Sequence, residues 1–265
     1  MKVEDASLMT PAAWRERFRT GNWHRPTAGL ALGYAQANLV ILQRELAYDF
    51  LLFCQRNPKP CPILEVTDIG CFEPKVVARG ADLRTDLPKY RIFRNGQLVD
   101  EPSDIRSYWQ DDFVSFLLGC SFTFEGALQA AGIEVRHITQ NRNVPMYITN
   151  RECQKAGVMQ GPLVVSMRPV PASNLVKVVQ ITSRFPAVHG APVHIGDPQA
   201  LGIVDLALPD MGESVDVKAG EIPVFWACGC TSQAVVMAVK PELVITHAPG
   251  FMFITDLSDQ GLAAF

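Results

Sequence analysis

No run of five or more like charges occurs in these 265 residues, and 24 basic side chains stand against 27 acidic ones. The chain therefore carries no electrostatic footprint for nucleic acid or for an anionic membrane. Long apolar runs are missing too. The windows "FVSFLLGCSF" and "LVITHAPGFMFI" are broken by Gly, Pro or polar residues well short of the ~18 apolar residues that a membrane span needs. The opening stretch "MKVEDASLMTPAAWRERF" has early acidic residues and no apolar centre, unlike a secretory leader, so a cytoplasmic protein is expected. There is no Cys-x-x-Cys of the thioredoxin type, and the lone Cys-x-Cys at Cys228 and Cys230 leaves a zinc ion two ligands short. The seven cysteines are odd in number and irregularly spaced, which predicts reduced thiols and no metal site. Dinucleotide, Walker and G-x-S-x-G motifs are likewise missing.

What is present is a balance of 48% hydrophobic and 19% charged residues, that of a compact globular chain. At this length it forms one large domain or two unequal ones. "MTPAAWRERFRTG" predicts a helix with Thr10 as N-cap, Pro11 at the first position and Gly21 as the stop. "AQANLVILQRELAYDFLLFCQRN" reads as a second helix ending before Pro58 and Pro60, followed by a buried strand in "CPILEVTDIG". Residues 74–112 form a long excursion with a hairpin at Asn95-Gly96, either functional or packed as a flap.

Strand, turn and helix then follow in "DDFVSFLLGCSFTFEGALQAAG", and the plan recurs in "PVFWACG", "TSQAVVMAV" and "ELVITHAPG". This order predicts an α/β fold, a mostly parallel sheet with helices on both faces, formed by residues 1–137 and 198–265. The middle breaks the rhythm: strands in "VPMYIT", "GPLVVSMRP" and "APVHIGD", with a helix in "SNLVKVVQITSRF" capped by Ser173 or Asn174, predict a smaller α+β domain inserted at 138–197.

Ligands of parallel sheets bind beyond the carboxyl ends of the strands. On that reading one rim gathers Asp68, the Cys120-Ser121 turn with Glu125, the Cys228-Gly229-Cys230 turn and His247. Turns that open helices offer backbone N–H groups and a positive dipole end to a carboxylate or oxyanion. Glu125 is then an acid or base, or merely a partner of its helix dipole. Gly229 would admit a ligand's close approach past the small Cys228, or the turn would simply bury a thiol. His189 and His194, five apart, would lie on opposite faces of a strand and not share a metal. Arg168 offers a fork of donors to a carboxylate, or a salt bridge between domains.

The segments "GCSFTFEGAL", "VPMYIT", "GPLVVSMRP", "HGAPVHIGDP", "PVFWACG" and "ITHAPGFMFITD", in that order, resemble the D-glutamate cyclase-like family of hydro-lyases. The similarity runs from about Trp14 to Asp256. It implies conversion of D-glutamate to 5-oxo-D-proline with loss of water, a reaction needing no organic cofactor. Departures from the family pattern fall at Cys230, Ser232 and Phe251, and around Gly70-Cys71-Phe72.

Under this resemblance Glu125 and His247 are the catalytic candidates. Arg84, Cys120, Ser121, Arg168, Cys228, Gly229, Thr231 and Gln233 are the candidates for binding a small carboxylated molecule. A sensor that binds such a metabolite without turning it over, and a metal-dependent hydratase using His247, are the alternatives. Homo-oligomerisation is expected on general grounds only.

Overall fold

The computed structural model describes residues 9–264; the first eight residues of the stretch read as lacking a leader lie outside it. Helix α1 (Pro11–Arg19) starts as expected, with Thr10 Oγ1 accepting from the Ala13 N–H at 3.3 Å, and Gly21 takes a left-handed φ of 69°. The second expected helix is in fact two elements. Strand β1 (Tyr34–Gln43) runs straight into α2 (Arg44–Arg56). Nearly every residue of β1 is buried, because both faces of the sheet are covered. Such a strand loses the two-residue alternation that would mark it, and periodicity does not separate it from a buried helix.

Next come β2 (Ile63–Val66), β3 (Tyr90–Arg94), β4 (Gln97–Asp100), β5 (Phe113–Gly119), α3 (Phe122–Ala130) and the short α4 (Arg136–Thr139). The β3–β4 hairpin turns at Asn95 and Gly96, both at positive φ. Then follow β6 (Met146–Glu152), β7 (Pro162–Pro171), α5 (Leu175–Ser183), β8 (His194–Ile195), β9 (Glu221–Ala227), α6 (Cys230–Val239), β10 (Val244–His247), β11 (Phe253–Ser258) and α7 (Asp259–Leu262).

The α/β class holds, but the sheets are not parallel. Sheet A has the order β2-β5-β1-β10-β3-β4, with β11 also pairing β1, and sheet B the order β6-β7-β9-β8. Every strand pair among the described residues is antiparallel. Strand-helix-strand order makes the joined strands run the same way without making them neighbours. β1 and β2 are co-directional, yet β5 lies between them; β5 and β10 are co-directional, with β1 between them.

The ends of β5 and β10 therefore still share one edge of sheet A. The carboxyl end of β2 lies at the opposite edge, where Asp68 is exposed and paired with Lys75. Sheet B takes β6, β7 and β8 from residues 138–197 and β9 from the later segment. His189 is in a turn rather than on a strand.

One face of sheet A (Leu39, Ile41, Leu117, Ile245) packs on Val77, Leu83, Leu87 and Ile105 of the long excursion, which is a packed flap. The other face (Val40, Leu42, Phe116, Val244) packs on Phe50 and Phe53 of α2 and on Val235 and Val236 of α6. Sheet B lays Val170, Val224 and Trp226 against Phe124 and Leu128 of α3 and Val178 of α5. Helix α3 is thus held between the sheets. No helix among the described residues is long and apolar enough to cross a membrane.

Asn38 of β1 joins the two turns that open helices. Its Nδ2 donates to the Gly119 carbonyl at 2.8 Å, and a Cβ at Gly229 would lie 2.1 Å from that same nitrogen. Gly229→Ala is expected to destabilise the fold by about 1–3 kcal/mol, the usual cost of overpacking. Urea unfolding of the two proteins checks it; an unchanged midpoint would refute the close approach.

Candidate active site

Ser121 precedes α3, and Glu125 is four residues on, so both side chains occupy one helix face. Ser166 and Arg168 are two apart on β7 and share one sheet face. These two spacings bring four side chains together. The Arg168 guanidinium donates from Nε to Glu125 Oε1 at 2.9 Å, from Nη2 to the same oxygen and to Ser121 Oγ at 3.0 Å, and from Nη1 to Ser166 Oγ at 3.1 Å. One N–H on Nη1 is left over from the five that arginine carries. The rings of Phe124 and Trp226 flank the guanidinium at 5.3 and 5.4 Å.

His137, from α4, completes the cluster. Its Nε2 is 3.2 Å from Glu125 Oε1, and its ring stacks on Phe122. Glu125, His137, Ser121, Ser166 and Arg168 are all buried, and Glu125 Oε2 makes no hydrogen bond within the protein. Burial alone would raise the Glu125 pKa, but His137 and the Arg168 guanidinium beside the carboxyl outweigh it and hold the carboxyl below its ordinary range. At neutral pH Glu125 is a carboxylate, able to accept a proton.

The thiols of Cys120 and Cys228 lie at the opening of α3 and α6, in one apolar cluster with Cys230 and Met146. Burial pushes the Cys120 thiol up, whereas Cys230, through its S–H and backbone N–H, holds Cys228 down. Cys228 and Gly229 form a turn against Asn38. All seven cysteines are free thiols. Among the described residues no three His, Cys, Asp or Glu side chains are placed to hold a metal.

Other sequence candidates are engaged elsewhere. His247 and Gln233 pair with each other: Gln233 Nε2 donates to the His247 carbonyl at 3.1 Å and lies 3.3 Å from both ring nitrogens, while the Leu39 N–H donates to Nδ1 at 3.1 Å. Neither makes a hydrogen bond to Glu125. Thr231 Oγ1 accepts from the Val164 N–H at 2.9 Å. Arg84 forks Asp82 at 2.9 and 2.8 Å and lies 3.4 Å over the Phe72 ring. Ser166 was legible from its two-residue spacing to Arg168, but nothing local to "EVRHIT" marks His137.

A cavity of about 10 Å³, room for roughly one water, is lined by Glu125, Gln36, Thr123, Ile138 and Asp259. A ligand of several heavy atoms there requires the walls to move.

This geometry sits within the residues that a family model described as D-glutamate cyclase matches, 114–256. Relatives over nearly the whole chain are "Putative hydro-lyase" of Stutzerimonas stutzeri, 66% identical with 96% of each chain covered, and "Putative hydro-lyase YcsI" of Bacillus subtilis, 60% identical with 96% of this chain and 99% of that one. The chain belongs to the D-glutamate cyclase family. A third relative of this cyclase-family chain is "Putative hydro-lyase GK2103" of Geobacillus kaustophilus, 62% identical over 97% and 98%. Among solved structures, a nitrogen repressor-like protein of Methanococcus jannaschii aligns over 89% of this chain and 91% of that one, at 10% identity and a TM-score of 0.38. That likeness is too slight to bear on fold or function.

The buried ion pair yields one prediction. Arg168→Met leaves a carboxylate uncompensated and is expected to cost about 3–5 kcal/mol, while Glu125→Gln/Arg168→Met together cost less than the sum of the two single changes. Chemical denaturation of all four proteins checks this; additive costs would mean that the pair is not coupled.

A second concerns pH. Burial lowers the pKa of His189 and of His247 from 6.5 to about 4, so each ring is neutral in the fold and takes up a proton in the unfolded chain first. Stability from these rings is full above pH 6.5 and is lost as pH falls toward 4. The slope is at most about 1.4 kcal/mol per pH unit per ring. Unfolding free energies at pH 7 and 5 check it, and a flat profile over that window would refute the neutral rings.

Proposed function

We propose that this chain is a hydro-lyase acting on a small carboxylated substrate, and that the substrate is D-glutamate, converted to 5-oxo-D-proline and water. The observation that carries the reading is the buried Glu125 carboxylate, anchored by Arg168 through one oxygen and bare at the other. Its setting in a family-matched segment supports the lyase class.

The cyclisation forms a C–N bond between the amine and the side-chain carboxyl and expels one carboxyl oxygen as water. The amine must first lose a proton, the tetrahedral intermediate needs donors, and the departing oxygen needs protons. Glu125 Oε2 accepts the amine proton. The N–H of Arg168 left over and the backbone N–H groups at the Cys120-Ser121 turn are the donors for the developing oxyanion, a donor of this kind being worth about 2.7–4 kcal/mol of barrier. No oxidation state changes, so the chemistry calls for no redox cofactor.

The test incubates purified protein separately with D- and L-glutamate and follows 5-oxoproline by chiral chromatography. Product from the D enantiomer alone is expected, with turnover falling at least about 100-fold in Glu125→Gln while the thermal midpoint changes little. Product from neither enantiomer would remove glutamate as the substrate. An unchanged rate in Glu125→Gln would remove that residue from the chemistry.

A further inference from the structure

Gln36, Glu125 and Asp259 all line the small cavity, and each carries one buried oxygen with no hydrogen-bond partner in the protein: Gln36 Oε1, Glu125 Oε2 and Asp259 Oδ1. Gln36 is 3% and Glu125 1% exposed. Gln36 Nε2 donates to the Thr27 and Leu30 carbonyls at 2.9 and 3.1 Å, so Oε1 is the free arm of that amide. The Gln36 backbone N–H donates to Thr123 Oγ1 at 3.2 Å, in the first turn of α3 and two residues before Glu125. Asp259 meets the same helix one residue after Glu125, where its Oδ2 lies 3.9 Å from the place a Cβ on Gly126 would take.

Three buried acceptors left bare around one small space are costly. A single water donates two hydrogens and leaves one of the three unmet. The charges point to a cation. Glu125 is balanced by Arg168, whereas no basic side chain among the described residues is ion-paired with Asp259. Burial pushes the Asp259 carboxyl up to about 7, and a positive charge beside Oδ1 is what holds such a group ionised. The space thus calls for one heavy atom, one positive charge and three donors, which is the description of a primary ammonium. Exposed Leu32, Tyr34 and Gln129 belong to the same lining, so the rest of a ligand has a way out between them.

We propose that Gln36 Oε1 and Asp259 Oδ1 bind the ammonium group of the substrate, with Glu125 Oε2 as its third acceptor. The assignment rests on the amino-acid reading above and adds selection to it: the site takes a primary amine and rejects a dicarboxylic acid that lacks one. It also sets one ammonium N–H against the oxygen that accepts the amine proton.

Two measurements test it. Ammonium chloride is exchanged for tetramethylammonium chloride at constant ionic strength, because the bare ammonium ion fits a space for one water and tetramethylammonium does not. The thermal midpoint of wild type is expected to rise by about 2–4 °C once ammonium stands severalfold above its dissociation constant, and that of Asp259→Asn, which keeps the side chain's shape without its charge, to stay level. No rise in wild type, or an equal rise in the variant, overturns the proposal. Separately, initial rates with wild type give the KM for D-glutamate and the inhibition constant of glutarate, the same diacid without the amine. Glutarate is expected to bind at least about 10-fold more weakly. Equal affinities overturn the proposal whether or not the variant folds. Should wild-type protein convert neither enantiomer of glutamate, the substrate reading falls, and the ammonium exchange alone decides the site.

Discussion

A buried carboxylate holds this architecture together. Glu125 cannot lose water without a compensating charge, and Arg168 supplies it from the other sheet's strand. The pair ties α3 to sheet B beside the apolar packing of Phe124 and Leu128 on Val170, Val224 and Trp226. Ser121, Ser166, Phe124 and Trp226 complete the arginine's surroundings, so its charge is matched by oxygens on one side and ring faces on the other. A site built this way has fixed dipoles before any ligand arrives, which is the condition under which electrostatic stabilisation of a transition state costs least reorganisation.

Asn38 is the second constraint. It lies in the middle strand of sheet A and touches both turns that open helices, through the Gly119 carbonyl and through the bare face of Gly229. The two helix openings are therefore coupled by one amide. Glycine at 229 follows from that contact rather than from backbone conformation, since its φ of −61° is open to any residue.

Local signals gave the elements well where one face of an element meets water or where a cap is explicit. Thr10-Pro11 and Asn95-Gly96 are such cases. They failed at β1, where a strand buried on both faces has no alternation, and at pairing, where co-directional strands were expected to be neighbours. The strand-end argument brought Cys120, Ser121 and Glu125 to one place; Arg168, also expected at a strand end, lies instead within β7, three residues before its last. The same strand-end argument included Asp68, which lies at the opposite edge because β5 is inserted between β1 and β2. Ser166 is readable from its two-residue spacing to Arg168 once β7 is known to be a strand. His137 is not, because it reaches the cluster from the short helix α4, whose position depends on what it packs against.

The amino-acid sequence by itself determined the α/β class, the family and the local geometry that pairs Ser121 with Glu125 and Ser166 with Arg168. These depend on helical and strand periods or on extended motifs, which a chain carries in its own order. Only the tertiary structure decided that the sheets are antiparallel, that Arg168 is satisfied by Glu125, and that His247 faces Gln233 rather than the carboxylate. Those outcomes depend on which surfaces meet. Burial sets both the partners and the proton affinities of the groups enclosed, and burial is a property of the assembled fold.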